Sequence, residues 1–176
     1  MKNTIKTIFI FLFSLSSINV AMAQEEFAAF EKNKQVNSVV VNQKMFEMMA
    51  NVKVEASNDE EKAYLNIIKK LTSLKVFNTS SSAVKNDMKS AVSKYVSSAS
   101  LKELSNNKDS ESTVTIYVDQ NGSSNNVSKL LMFNEGANDS KENIVMIITG
   151  QFSIKELSAL TTKMNLPLGN TLNKIK

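Results

Sequence analysis

The segment from residue 113 to residue 133 constrains the fold most strongly, because it has the pattern of a β-hairpin. Apolar and polar residues alternate over 113–118, and this period of two is typical of a half-buried strand. Asn121-Gly122 follows, a dipeptide that is the strongest short-range signal for a tight hairpin turn. Residues 127–133 then supply the return strand. The chain is therefore expected to contain a sheet with antiparallel neighbours.

Three further segments have strand patterns. Residues 36–41 and 74–77 are short and rich in β-branched or aromatic side chains. Ile144–Ile148 is a continuous apolar run that ends before Gly150, as expected for a central strand covered on at least one face. With the hairpin, these segments predict about five strands.

Apolar residues at helical spacing predict the helices. Asn42 can cap the first of them, and Ser57–Glu60 and Ser153–Glu156 have the form of capping boxes at two later helix starts. The predicted apolar faces are Met45, Met48, Met49 and Val52; Tyr64, Ile67, Ile68, Leu71 and Leu74; Val84, Met88, Ala91, Val92 and Tyr95; and Leu157, Leu160 and Met164.

Together these elements predict an α+β fold. Adjacent strands joined by short turns favour a mixed or mainly antiparallel sheet, with three to four amphipathic helices packed on one face. We expect a single domain over residues 36–164. Residues 24–35 form a polar lead-in segment, either a short helix or an extended arm, and residues 165–176 form a flexible C-terminal tail that follows the last helix at Pro167 and Gly169.

The first 23 residues have the three parts of a secretory signal peptide. A basic start with Lys2 and Lys6 precedes the apolar run Thr7–Leu15, and Ala21-Met22-Ala23 forms a small-residue cleavage site. A membrane anchor is the alternative, but a spanning helix needs about 20 apolar residues and this run is shorter. We expect cleavage after Ala23 and export to the periplasm or the medium, with no later transmembrane segment. No Cys stands at the cleavage point, so no lipid anchor is expected.

Four residue types are absent, and their absence narrows the chemistry. All 21 basic residues are Lys, and the chain has no Arg, His, Cys or Trp. An imidazole base, a thiolate nucleophile and thiolate or imidazole metal ligands are thereby excluded, as is a guanidinium that could bind phosphate. Without Lys2 and Lys6 the basic count falls from 21 to 19 against 17 acidic residues, a surplus too small for nucleic-acid binding. The composition predicts a protein that is not an enzyme.

The remaining motifs have structural interpretations. Ser-x-x-Lys occurs at Ser82–Lys85 and Ser105–Lys108, but two matches are no more than chance gives in a chain so rich in Ser and Lys. Asp119–Asn125 is rich in oxygen ligands, but a calcium loop needs a Glu where Leu130 stands. Asp59-Glu60-Glu61 suits a helix start, and Asp109 and Glu111 lie in a predicted polar loop. No catalytic, metal or cofactor residue is assigned, and no cofactor is expected.

The methionines have two interpretations, and the lysine pairs have a simple one. Met45, Met48 and Met49, with Met88, Met132, Met146 and Met164, could line an adaptable binding surface, although methionine at helical spacing more often lies in the core. Lys69-Lys70 and the Lys174–Lys176 end are too sparse for a lipid-binding patch.

The chain resembles an uncharacterised family of exported proteins from Bacteroidetes-type bacteria, known as domain of unknown function 4252. The resemblance lies in Val39–Met49, in the Tyr64–Phe77 helix and strand, in Val114–Val118 and in Ile147–Leu160. It covers roughly residues 27–164 and implies a fold family without an activity or site residues. Many members resemble lipoproteins with a Cys at the cleavage site, and this chain departs from that pattern.

Three functions remain open from the sequence. The first is a non-enzymatic envelope protein that binds another protein or a small apolar ligand. The second is a hydrolase built on carboxylates or on Ser and Lys, which requires two convergent acids in a cleft or a Ser beside a buried Lys. The third is a carrier of apolar cargo or a surface adhesin. An exposed apolar or Met-rich patch would favour the first.

Overall fold

The computed structural model describes residues 26–51, 58–119 and 121–166. The predicted signal peptide, Val52, Ser57 and the tail from Pro167 onward lie outside them. No helix among the described residues is long and apolar enough to cross a membrane. In chain order, the elements are α1 Ala28–Glu31, β1 Asn37–Asn42, α2 Gln43–Asn51, α3 Asp59–Ile68, β2 Leu71–Thr79, α4 Ser82–Ser98, β3 Leu101–Lys108, β4 Ser112–Asp119, β5 Val127–Gly136, β6 Asn143–Phe152, a 3-10 turn Ile154–Glu156 and α5 Leu157–Lys163.

The strands form one six-stranded sheet in the order β1-β2-β6-β5-β4-β3. Every neighbouring pair runs antiparallel, so the predicted α+β class and the antiparallel sheet are confirmed. Strands β3 to β6 are joined by successive hairpins. Asn121-Gly122 lies in the connection between β4 and β5, but the tight turn there is at Ser124-Asn125, closed by the Ser123–Asn126 bridge, so its predicted place at Asn121-Gly122 was wrong. Strand β6 lies inside the sheet between β5 and β2, as its apolar run indicated. Strands β1 and β3 are the two edges.

The helices cover both faces of the sheet, so their predicted placement on one face was wrong. Strand β5 shows why: Leu130 and Met132 belong to one apolar cluster, while Leu131 and Phe133 belong to the other. Successive side chains point to opposite faces, and a strand that is apolar at every position is stable only when both faces are covered. Helices α2, α3 and α5 cover the first face, and α1 and α4 cover the second.

The lead-in segment contributes to this second face. Phe27 and Phe30 are buried, and the Phe27 ring stacks on Phe77 with the ring centroids 5.5 Å apart. Tyr95 of α4 meets Phe27 edge-on, with a centroid distance of 5.6 Å. The described part of the segment, with the short helix α1, therefore packs into the core of the domain.

Both ends of α3 and one whole strand differ from what the sequence predicts. Helix α3 ends at Ile68, and Leu71 and Leu74 lie in β2 instead of continuing the helix. The side chain of Asn58 caps α3 by accepting a hydrogen bond from the Glu61 N–H. The strand β3 was not predicted.

Gly150 lies within β6 and does not end the strand. Its φ is +153°, and it pairs with Leu71 beside a register shift in β2. A Cβ at this position would lie 2.3 Å from the Lys70 carbonyl oxygen, closer than any real contact. Glycine is therefore required where β2 and β6 approach most closely.

Candidate functional site

The largest apolar side chains that the described residues leave in water lie close together along the chain, at one edge of the sheet. Val39 and Val40 of β1 are 50% and 37% exposed, and Met45 and Met48 of α2 are 39% and 57% exposed. We call these four side chains the β1–α2 surface. Burying a Val or Met side chain completely contributes about 1.5–3 kcal/mol. Burial of these side chains against another molecule would therefore contribute favourable free energy to binding.

Strand β1 is held from one side only. All six of its residues pair with β2 in a continuous register, from Asn37 with Asn78 to Asn42 with Ser73. Among the described residues, no strand pairs with its other side. Val39 stands on the same face as Val41, because their partners Val76 and Leu74 both belong to the α2/α3/α5 cluster. Val40, paired with Lys75, points to the opposite face. The strand therefore exposes an apolar side chain on each face of the sheet.

Helix α2 follows β1 without a break. The Asn42 side chain accepts a hydrogen bond from the Met45 N–H at 3.0 Å, which satisfies a free donor at the helix start. Phe46 is 1% exposed and, with Val41, anchors the segment in the core. The methionines are divided accordingly: Met88, Met132 and Met146 are core residues, Met49 and Met164 are partly buried, and only Met45 and Met48 of the predicted set are exposed.

The other edge, β3, has a different character. Its sequence includes Lys102, Glu103 and Lys108, and its register with β4 shifts between Glu103 and Ser105. Charged side chains and bulges are the devices by which natural sheets keep an edge from pairing with another chain. Strand β1 contains no charged residue and pairs without a register shift.

A groove of about 640 Å³ lies between α1 and α4 on the opposite face. Phe30 and Ala91 line it together with the charged residues Glu26, Asp87 and Lys94. Glu26 Oε1 accepts a hydrogen bond from Ser98 Oγ at 2.9 Å, and Glu26 Oε2 is buried with no hydrogen-bond partner among the described residues. Burial, with a smaller effect from Glu26, raises the pKa of Tyr95 to about 12, so this phenol stays neutral and structural.

Neither Ser-x-x-Lys motif forms a nucleophile and base. Lys85 is 8% exposed, and its Nζ donates to the carbonyl oxygens of Asp139 at 2.8 Å and Asn138 at 3.4 Å, while Ser82 is exposed at the start of α4. Ser105 and Lys108 pair with Ile116 and Thr113, which point to opposite faces of β4. No sequence pattern indicates that Lys85 is buried, since its partners are backbone carbonyls of a distant turn.

The loop that resembles a calcium site is a structural hairpin. Asp119 Oδ1 accepts hydrogen bonds from the Ser128 and Lys129 N–H groups at 2.8 and 3.0 Å. Partial burial acts to raise the pKa of Asp119, but these hydrogen bonds outweigh it, and the pKa lies below its ordinary value. No cluster of three or more potential metal-ligating side chains occurs in the described ranges.

Three other acidic residues that the sequence singles out take part in local structure. Asp59, in the first turn of α3, pairs with Lys62 at 3.1 Å, and Glu61 pairs with Lys163 of α5 at 3.3 Å. Asp109 Oδ1 accepts from the Glu111 and Ser112 N–H groups and shapes the β3–β4 turn.

One acid links the last helical region to β2. Glu156 completes the predicted capping box with Ser153 and forms an ion pair with Lys70. The hydrogen bond from Lys70, aided by those from Ser153, holds the pKa of Glu156 below its ordinary value although partial burial opposes it. Lys70 is thus committed to a contact within the domain.

Comparison with known proteins shows the family to which the chain belongs. The family described as Domain of unknown function (DUF4252) matches residues 30–160, which is most of the chain. The chain belongs to this family. No curated protein and no solved structure matches it. The matched range begins at Phe30 and therefore takes in the whole sheet and the β1–α2 surface of this DUF4252 domain.

Proposed function

We propose that this DUF4252 chain is an exported, non-enzymatic protein-interaction module of the cell envelope that binds through the β1–α2 surface. The observation that carries the proposal is the exposure of Val39, Val40, Met45 and Met48 within ten consecutive residues. Exposed apolar side chains scattered singly need no explanation, but four of them in one edge strand and the helix that follows it favour an interaction site. Methionine suits such a role because its unbranched side chain adapts to the shape of a partner.

The state of the polar residues supports binding over catalysis. Asp119, Asp109 and Glu156 accept hydrogen bonds from neighbouring backbone N–H groups, which gives each a structural role. The absence of His, Arg and Cys from the chain removes the commonest catalytic groups. Glu26 and Asp87 do share the α1/α4 groove, so a carboxylate-based hydrolase would place its chemistry there.

The test is a mild-crosslinking pull-down of the tagged protein from its native envelope, with mass spectrometry of the recovered proteins. Met48→Lys is the test variant, since Met48 is 57% exposed and its replacement should leave folding unchanged. Asn106→Lys, on the β3 edge, is the matched control, and because it removes the hydrogen bond from Asn106 Nδ2 to Thr115 Oγ1 its folding is verified by urea unfolding. We expect the wild type and Asn106→Lys to recover one protein in stoichiometric amount and Met48→Lys to lose it. Equal recovery by all three, or recovery of no partner by a folded wild type, would contradict the proposal.

Export needs its own measurement. We expect the mature protein in the periplasmic or secreted fraction, with an N-terminus at Gln24 and a mass that shows no lipid. An uncleaved chain in the cytoplasmic fraction would contradict the proposed location in the cell envelope.

A further inference from the structure

Strand β1 has the properties of an edge that accepts another strand. No strand within residues 26–51, 58–119 and 121–166 pairs with its outer side, its register with β2 is regular over Asn37–Asn42, and it contains no charge. Natural sheets protect edges of this kind with lysines, prolines or bulges. The β3 edge of the same sheet carries two of these devices, and β1 carries neither a bulge nor a charged residue.

We infer that β1 pairs antiparallel with β1 of a second copy of this chain, so that two six-stranded sheets become one. This inference rests on the proposed interaction role of the β1–α2 surface and names its first occupant. The sequence of the strand is its own complement when a two-fold axis passes through Val40. Val40 then lies opposite Val40 of the partner subunit, Val39 opposite the partner's Val41, and Ser38 opposite the partner's Asn42.

The register follows from matching like with like. An axis through Val39 would place Val40 opposite Ser38 and Val41 opposite Asn37, so that apolar residues would face polar ones. The axis through Val40 avoids both mismatches and gives the β-branched cross-strand pairs that stabilise antiparallel sheets.

The neutrality of β1 favours a second copy over a charged partner. Self-pairing of Asn37–Asn42 brings no like charges opposite one another, and the strand offers no charge that would select an oppositely charged segment. Two-fold dimers are the commonest assemblies of soluble proteins, and their interfaces must be self-complementary. In this register five residues of each strand, Ser38–Asn42, lie opposite one another over about 17 Å, which gives less area than a standard interface of about 1,600 Å², so the dimer is expected to form in the micromolar range.

A single introduced cysteine tests the geometry, because the chain has no cysteine of its own. Residues directly opposite in an antiparallel pair have Cα atoms about 4.5–5.5 Å apart, within the range of a disulfide. Val40→Cys in the complete chain should therefore form a disulfide-linked dimer under mild oxidation. Val39→Cys is the matched control: its diagonal distance to its own copy is about 7–8 Å, and it should remain largely uncrosslinked. Equal crosslinking of the two variants would overturn the register.

Analytical ultracentrifugation of proteins that carry no introduced cysteine tests whether the chain dimerises. We expect the wild type to shift from monomer to dimer as its concentration rises, and Val40→Lys and Val40→Glu each to remain monomeric because equal charges meet at the axis. An equimolar mixture of the two variants should recover the dimer, since Lys then faces Glu. Asn106→Lys should dimerise like the wild type. A wild type that stays monomeric to about 500 µM, far above the micromolar range expected for such an interface, overturns the inference, as does a folded Val40→Lys that still dimerises.

The two proposals fail in different ways. A monomeric wild type that loses an envelope protein on Met48→Lys substitution keeps the interaction role and removes self-pairing. A Val40-dependent dimer that recovers no other protein supports self-pairing and removes the heterologous partner.

Discussion

The two edges of the sheet meet the solvent with different chemistry. Strand β3 presents Lys102, Glu103 and Lys108 and a shifted register, whereas β1 presents Val39 and Val40 in an unbroken ladder. Within the part of the chain that the structure describes, both strands are edges of the sheet, so the side chains and the regularity of the backbone register decide whether another strand can add. The difference teaches that the apolar character of the β1 edge comes from its own sequence, since β3 has the same edge position and is polar.

The largest expected difference between the two edges is the loss of unfolding free energy when one apolar side chain at each edge is truncated. Phe46 is fully buried beside β1, while Leu104 of β3 is only partly buried. Phe46→Ala should lower the free energy of unfolding by about 3–5 kcal/mol, because it leaves a cavity in the core. Leu104→Ala should cost about 1 kcal/mol, because less apolar area is lost. Urea unfolding of the two variants measures both values, and equal losses would show that the edges are anchored alike.

The β3 side of the sheet should respond to acid through Asp119. The pKa of this carboxyl is lowered by folding, so its stabilising contribution is fully present above the unfolded value of about 4 and is lost as pH falls through the lower folded value. Asp119→Asn keeps an acceptor for Ser128 and Lys129 but removes the charge, and should cost about 1 kcal/mol at pH 7.

Urea unfolding of the wild type and Asp119→Asn between pH 7 and acid checks this prediction. The difference between the two proteins should shrink as the pH falls below about 4. Amide exchange should rise in β4 and β5 before it rises in β1 and β2, because Asp119 bridges the β4–β5 hairpin. A difference that does not change with pH would contradict a role for the charge.

The smallest expected effect on stability comes from replacing charged residues of β3 with valine, the residue exposed on β1. Lys102→Val with Glu103→Val removes two charges from exposed positions and should change the free energy of unfolding by about 0.5 kcal/mol or less. The same variant should self-associate more strongly than the wild type in light scattering, because the edge has lost its charges. An unchanged association state would show that the bulge in β3 protects the edge without them.

Much of the fold follows from sequence patterns, and the exceptions have physical causes. The hairpin, the central strand β6 and the inward face of α4 carry clear periodicities, and the structure confirms them. Strand β3 has no such pattern: its pairing with β4 includes a polar contact, from Asn106 Nδ2 to Thr115 Oγ1 at 3.1 Å. Leu71 fits a helical spacing, but pairing between β2 and β6 overrides that local preference.

The candidate surface was only partly predictable. A methionine-rich surface was one interpretation of the sequence, but spacing does not tell which methionines face water. The run Val39–Val41 has the composition of a buried strand, and only its position at the edge of the sheet exposes two of the three side chains. Edge position depends on the order of strands far apart in the chain, which local patterns do not encode.

The strand order also affects the order in which the strands assemble during folding. Strands β3 to β6 join their neighbours through short turns, whereas β2 must find β6 from across the chain, as the pairing of Leu71 with Gly150 requires. Closing a longer loop costs more conformational entropy, and contacts between distant residues slow folding. The four-stranded meander is therefore expected to assemble first, with β1 and β2 docking afterwards. In that interval the valine run of β1 is as available to a neighbouring chain as to its own β2, so the rate of docking competes with the rate of aggregation.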